Sequence, residues 1–170
     1  WSSDRSASQV VVDADPDLPF LDAANTTVIR DSRWRCDHGW DIDLDDGSSN
    51  YYIYNNLCLN GGIKLREGFN RTVENNIMVN NGFHPHVWFK NSGDVFRRNI
   101  VMTDHKDILL KGWGKEIDYN LFPDPESLKK AQKNNIDLNS IYGDPLFKDP
   151  PNLDFSVYEN SPAFEIGFVN

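Results

Sequence analysis

The sequence predicts an all-β solenoid, a right-handed single-stranded parallel β-helix of about four to five coils. Two observations predict it. Short asparagine-containing phrases recur (VIRDSRW, YIYNNLC, TVENNIM, VFRRNIV and EIDYNLF), and their aligned position reads Ser32, Asn56, Asn76, Asn99 and Asn120, at steps of 24, 20, 23 and 21 residues. Apolar residues repeat around that position, with Ile29, Ile53, Val73, Phe96 and Ile117 before it and Leu57, Ile77, Ile100 and Leu121 after it. A coil of this length lays each strand beside its equivalent in the next coil, and asparagines stacked at one turn satisfy one another's amides. A leucine-rich repeat has a similar period but needs a dense leucine frame, which this chain lacks.

The elements follow in chain order. Residues 1–25 carry no repeat and are expected to be an irregular N-terminal segment. Residues 26–122 hold the coils. Each coil offers a second strand, DIDLDD (41–46), GIKLRE (62–67), HVWFKN (86–91) and DILLKG (107–112). Ile42, Ile63, Val87 and Ile108 then form one inward column, and Leu44, Leu65, Phe89 and Leu110 the next. Side chains alternate across a strand, so three outward columns remain. They read Asp41, Gly62, His86, Asp107; Asp43, Lys64, Trp88, Leu109; and Asp45, Arg66, Lys90, Lys111. Asp46 and Glu67 are equivalent at the strand ends, and the phrases HPH and HKD set His84 over His105. Residues 123–170 are expected to form a short helix and an irregular cap over the last coil. DPESLKKAQKN has Asp124 as its helix cap and Pro125 at its first position. The chain opens on Trp1 without a secretory leader or an evident N-terminal cap. It is therefore expected to be a portion of a larger β-helix, or to pair with a second chain.

Composition narrows the partners. The net charge is −9, with 26 Asp and Glu against 17 Lys and Arg. That leaves no basic stripe to displace counterions from a nucleic acid. No apolar run reaches the roughly 18 residues that would span a membrane. Cys36 and Cys58 allow one disulfide or none.

The stretch GSSNYYIYNNLCLNGGIKLREGFNRTVENNIMVNN, with the closing GDPLFKDPPNLDFSV and NSPAFEIGF, resembles bacterial secreted carbohydrate-active enzymes with right-handed β-helix domains of the pectin-lyase-like kind. These comprise glycoside hydrolases and polysaccharide lyases. The closing phrase is closer to the hydrolases. The resemblance covers roughly residues 26–168 and implies a plant or algal carbohydrate substrate, a site on an outward strand face and a secreted or periplasmic location.

Glycoside hydrolysis uses two carboxyl groups, about 5 Å apart for retention and about 6.5–9.5 Å apart for inversion. Neighbouring coils lie about 5 Å apart and alternate residues on one strand about 7 Å apart. Asp46 with Glu67 therefore matches the retaining distance, and Asp43 with Asp45 the inverting one. These four are the candidate acids. His38, Lys64, Arg66, His84, His86, Trp88 and Lys90 are the candidate substrate contacts, and no protein metal site is assigned. Trp88 is expected outward, where an indole stacks on a sugar ring, with Trp40 and Trp113 near the same face. Asp43 over Lys64 and Asp45 over Arg66 also read as plain cross-strand ion pairs.

No cofactor is required on this reading. Calcium is the one ion that so many acids suit, but a calcium loop of the EF-hand type fails, because the glycine comes one residue late and the twelfth position is Tyr52. The leading expectation is a glycosidase. The alternatives are a polysaccharide lyase, with Lys64 or a histidine as base and Arg66 neutralising a uronate carboxylate, and a non-catalytic glycan-binding β-helix.

Overall fold

Asparagine stacking is the feature that holds the observed coils in register. In the structure, a computed structural model that describes residues 5–170, Asn56 Nδ2 donates to Asn76 Oδ1 at 3.0 Å, Asn76 to Asn99 at 3.1 Å and Asn99 to Asn120 at 3.2 Å. Each carbonyl oxygen also accepts the main-chain N–H of the asparagine one coil earlier. Buried amides thus find partners on both sides, as buried polar groups must. Ser32 does not join the stack, since its hydroxyl bonds the Arg30 carbonyl. The Trp34 indole N–H completes the stack at that end by donating to Asn56 Oδ1. At the other end Asn120 donates to Asp137. The residue before each position turns the chain through a left-handed conformation, at Asp31, Asn55, Asn75, Arg98 and Tyr119. Asn and Asp tolerate that region best.

The chain is a parallel β-solenoid. The first coil holds β1 (Thr27–Arg30), β2 (Arg33–Trp34) and β3 (Ile42–Leu44). The second holds β4 (Tyr51–Tyr54), β5 (Leu57–Cys58) and β6 (Ile63–Leu65), and the third β7 (Arg71–Glu74), β8 (Ile77–Met78) and β9 (Phe83–Pro85). The fourth has β10 (Val95–Arg97) and β11 (Ile100–Val101), and the fifth β12 (Glu116–Asp118) and β13 (Leu121–Phe122). After the helix, β14 (Ile141–Tyr142) adds one more rung. Three sheets result, β1-β4-β7-β10-β12, β2-β5-β8-β11-β13-β14 and β3-β6-β9. The six-stranded sheet makes the solenoid slightly longer than the four to five coils expected.

The register puts Ile29, Ile53, Val73, Phe96 and Ile117 in one column, as their sequence alignment requires. With Cys58, Met78, Val101, Phe122, Ile63 and Phe83 they fill the interior. Leu57, Ile77, Ile100 and Leu121 also align. Their column faces away from the interior; Ile77, Ile100 and Leu121 pack against Val157, Ala163, Ile166 and Phe168 of the C-terminal segment.

That segment therefore runs along the flank of the solenoid instead of capping its last coil. It contains the hairpin β15 (Phe147–Asp149) and β16 (Asp154–Val157) and ends beside Asn75, which exchanges two hydrogen bonds with the Val169 main chain. The closing role falls to the helix at Pro125–Gln132, whose Leu128 and Ala131 enter the interior cluster. It is capped as expected, with Asp124 accepting from the Ser127 N–H at 2.8 Å.

The N-terminal segment departs from expectation. Within its described part, residues 5–25, it forms two helices, α1 (Arg5–Ala14) and α2 (Leu18–Asp22), before α3, the Pro125 helix; residues 1–4 of the expected irregular segment lie outside the described residues. Val12 anchors α1 by packing with Phe69 and Phe89, whose rings stack at 5.0 Å. Both cysteines are free, and burial pushes the Cys58 thiol well above its ordinary pKa.

Candidate functional site

The outward face of β3-β6-β9 collects most of the predicted residues. Strand pairing sets Asp43 beside Lys64 and Lys64 beside His84. The ladder continues past the strand ends, with Arg66 N–H donating to Leu44 O and His86 N–H to Leu65 O. Asp45, Arg66 and His86 therefore form the neighbouring column, which ends at the His86–Ile108 bridge.

Two cations organise the acids. Lys64 Nζ lies 2.7 Å from Asp43 Oδ1 and 3.3 Å from Asp45 Oδ1. Arg66 reaches Asp45 at 3.3 Å, Asp46 at 2.8 Å and Glu67 at 3.2 Å. Each acid pair anticipated from the spacing thus shares a partner, Lys64 for Asp43 and Asp45, Arg66 for Asp46 and Glu67. The three aspartates are 40–52% exposed at their side chains, whereas Glu67 is buried. Desolvation pushes the Asp45 carboxyl up, but hydrogen bonds and charge from Lys64 and Arg66 outweigh it and hold the group below the usual carboxylate range. Asp45 is accordingly ionised at neutral pH, which suits a nucleophile or base. A cavity of about 490 Å³ opens where β3 ends, lined by Asp46, Gly47, Ser48, Tyr51, Leu21 and Ala23.

Asp41 has a different task. Its carboxylate accepts the main-chain N–H groups of Cys36, Asn60, Gly61 and Gly62. It ties the loop before β3 to the turn before β6, a close approach that requires glycine. A Cβ on Gly61 would lie 2.2 Å from the Asp41 main-chain nitrogen.

His84 and His86 sit side by side, with ring centroids 5.7 Å apart. His84 Nε2 lies 2.7 Å from Asn81 Oδ1, the geometry of an N–H donated to the amide oxygen. Burial, reinforced by His86, Lys106 and Lys64, pushes the His84 pKa down to about 4. Burial and Lys64 also lower that of His86. A histidine held neutral in the fold binds fewer protons than its unfolded counterpart between its folded and unfolded pKa values. Stability should therefore fall as pH drops from about 6.5 towards 4. Thermal melts across that range should show this slope in the native chain, and His84→Gln should flatten it.

The third coil corrects the expected columns. Phe83, not Val87, lies beside Ile63, and Pro85 lies beside Leu65. Val87 turns the chain through φ +58°, and the Trp88 ring enters the interior. It is fully buried, with Nε1 donating to Leu65 O at 2.8 Å, so it cannot stack on a sugar outside. Lys90 lies exposed in the turn at residues 90–91, off the strand face. His105 is also interior, ringed by Phe83, Phe96 and Phe122 and 3.0 Å from Asp137. His84 does not stand over it, because the register brings Lys106 there: Lys106 N–H donates to Phe83 O. Ile108, expected inward, is exposed, and Phe89 packs with Phe69 and Val12 outside the main cluster. His38 is exposed in the loop before β3.

The aromatic group on the face is Trp40. Lys64 Nζ stands 4.1 Å from its ring centroid, and both imidazoles meet it edge-on at 5.9 Å. A second group had no signal in the repeat. Arg71 and Asp94, both fully buried, pair through Nε at 3.0 Å and a terminal nitrogen at 2.6 Å, while Arg71 also donates to the Arg66 carbonyl. This pair fixes the main chain that carries Arg66. Among the described residues, no group of three or more His, Cys, Asp or Glu side chains is arranged to hold a metal ion. The acids that could have suited calcium face lysine and arginine instead.

A stretch of 97 residues is 35% identical to the uncharacterized protein YwoF of Bacillus subtilis (strain 168). The match covers 55% of this chain and 19% of that protein, so the chain spans about a fifth of its relative's length. No family model matches the chain. No solved structure matches it.

Proposed function

We propose that the outward face of β3-β6-β9 is the active surface of a glycoside hydrolase acting outside the cell on a plant or algal polysaccharide. The observation that carries this reading is the gathering of Asp43, Asp45, Asp46 and Glu67 on two adjacent rungs around just Lys64 and Arg66, with Trp40 and two neutral histidines beside them. Buried Lys64 and Glu67 each need an opposite charge, but one partner apiece would satisfy them, and the further pairs of the half-exposed aspartates contribute only about 0–1 kcal/mol each. Asp45, held ionised by both cations, is the nucleophile or base. Asp43, which shares Lys64 with it, is the acid. Arg66 holds Asp46 and Glu67 in place at the edge of the surface.

A lyase is the second reading, favoured by one observation, the neutral His86 beside Arg66. It ranks lower because the ammonium of Lys64 lies between two carboxylates, and Arg66 already meets three. A uronate carboxylate would enter against that charge. A product assay on neutral and uronate polysaccharides separates the readings. New reducing ends without ultraviolet absorbance are expected; an unsaturated, absorbing product would transfer the chemistry to elimination.

A further inference from the structure

Buried polar atoms almost always find a partner, and on this face one does not. His86 is 9% exposed, and its Nε2 has no hydrogen-bond partner. The ring bonds the Lys106 main chain through its other nitrogen. Donation from Nδ1–H to a carbonyl fixes the tautomer and leaves Nε2 a lone-pair acceptor. The group it lacks is therefore a donor.

Trp40 packs against the imidazole. Its indole meets His86 and His84 edge-on and lies against the Lys64 ammonium. It belongs to the loop between β2 and β3, follows Gly39 and is half-buried. Turning that one side chain outward uncovers Nε2 while leaving the three strands and their ladder intact.

We propose that Trp40 is a displaceable cover over a hydroxyl-recognition pocket floored by His86, and that the pocket takes one pyranose of a neutral glycan. The pyranose stacks its apolar face on the indole and donates a hydroxyl to Nε2. An ionised carboxylate has no proton to give an acceptor, and the cations of the adjoining rung, Lys64 and Arg66, are already paired with Asp43, Asp45, Asp46 and Glu67, so a uronate carboxyl is not the group that meets Nε2. This inference rests on the glycan reading of the face and assigns which kind of sugar it receives.

Diethyl pyrocarbonate, which acylates accessible neutral imidazole, tests it on the full chain by peptide mass spectrometry. The exposed His38 serves as internal reference. In the native chain His86 should react far more slowly than His38. Trp40→Ala should raise the His86 rate by about tenfold, and Trp40→Phe, which keeps a smaller ring in place, should raise it less. The hexasaccharides of β-1,4-linked xylose, glucose, mannose and galactose are then added to the native and Trp40→Phe chains. At least one should slow His86 in Trp40→Phe without changing His38, and should alter tryptophan emission in the native chain alone. Unchanged His86 reactivity in both variants overturns the cover. Absence of protection by any of these hexasaccharides overturns the ligand. Protection without new reducing ends would keep the pocket and remove hydrolysis, whereas hydrolysis without protection would remove the pocket alone.

Discussion

Asp45→Asn is expected to lower turnover by about 10²–10⁴-fold, the range for loss of a positioned acid–base group. The substitution keeps size and hydrogen-bonding reach while removing the charge that Lys64 and Arg66 hold ionised. The side chain is half exposed, and the buried Lys64 keeps Asp43 at 2.7 Å, so the fold should lose little, about 1 kcal/mol. Turnover and stability are thereby uncoupled, and initial rates beside urea melts of the same preparation check both. Asp43→Asn should behave alike, whereas Asp46→Asn should be milder, since Arg66 keeps Asp45 and Glu67 as partners.

Asp94→Ala is expected to be the most destabilising single change, at about 3–5 kcal/mol. It strands the fully buried Arg71 guanidinium among apolar neighbours, with the Trp88 ring 5.8 Å away. It also removes the acceptor of the Arg71 main-chain N–H. Replacing both partners together, as Arg71→Met with Asp94→Leu, should cost less than Asp94→Ala alone, because a buried ion pair and a well-packed apolar pair are often similar in stability. Urea midpoints of the two variants decide it. Because Arg71 also holds the Arg66 carbonyl, Asp94→Ala should in addition reduce turnover in the folded fraction.

The sequence made the solenoid legible because its physics is periodic. Stacked amides at Asn56, Asn76, Asn99 and Asn120 leave a mark every coil, as do the inward residues Ile53, Val73 and Phe96. The first two rungs of the candidate site, Asp43 over Lys64 and Asp45 over Arg66, were readable for the same reason. The third rung departs from its expected register, although the 20-residue step from Asn56 to Asn76 sets Phe83 beside Ile63. The phrase HVWFKN alternates like a strand four residues further on, a register that points Trp88 outward. Local propensity lost to the ladder: Val87 takes a left-handed turn and the large indole is buried with its N–H satisfied by Leu65. Trp40, which lies in a loop without period, left no mark of its contacts with Lys64, His84 and His86. Arg71 and Asp94 stand 23 residues apart on neighbouring coils, and a lone charge in a repeat reads as solvated until its partner is seen. The C-terminal aromatics signalled a cover but not its place, because Leu57, Ile77, Ile100 and Leu121 look the same whether they face the interior or a docked flank.

The most direct measurement is the product assay run side by side on the native chain and Asp45→Asn, reading reducing ends and ultraviolet absorbance together. Hydrolysis at the Asp43–Asp45 face predicts new reducing ends without absorbance from the native chain and their near-complete loss in Asp45→Asn. An absorbing product, or equal turnover by the two chains, would contradict it.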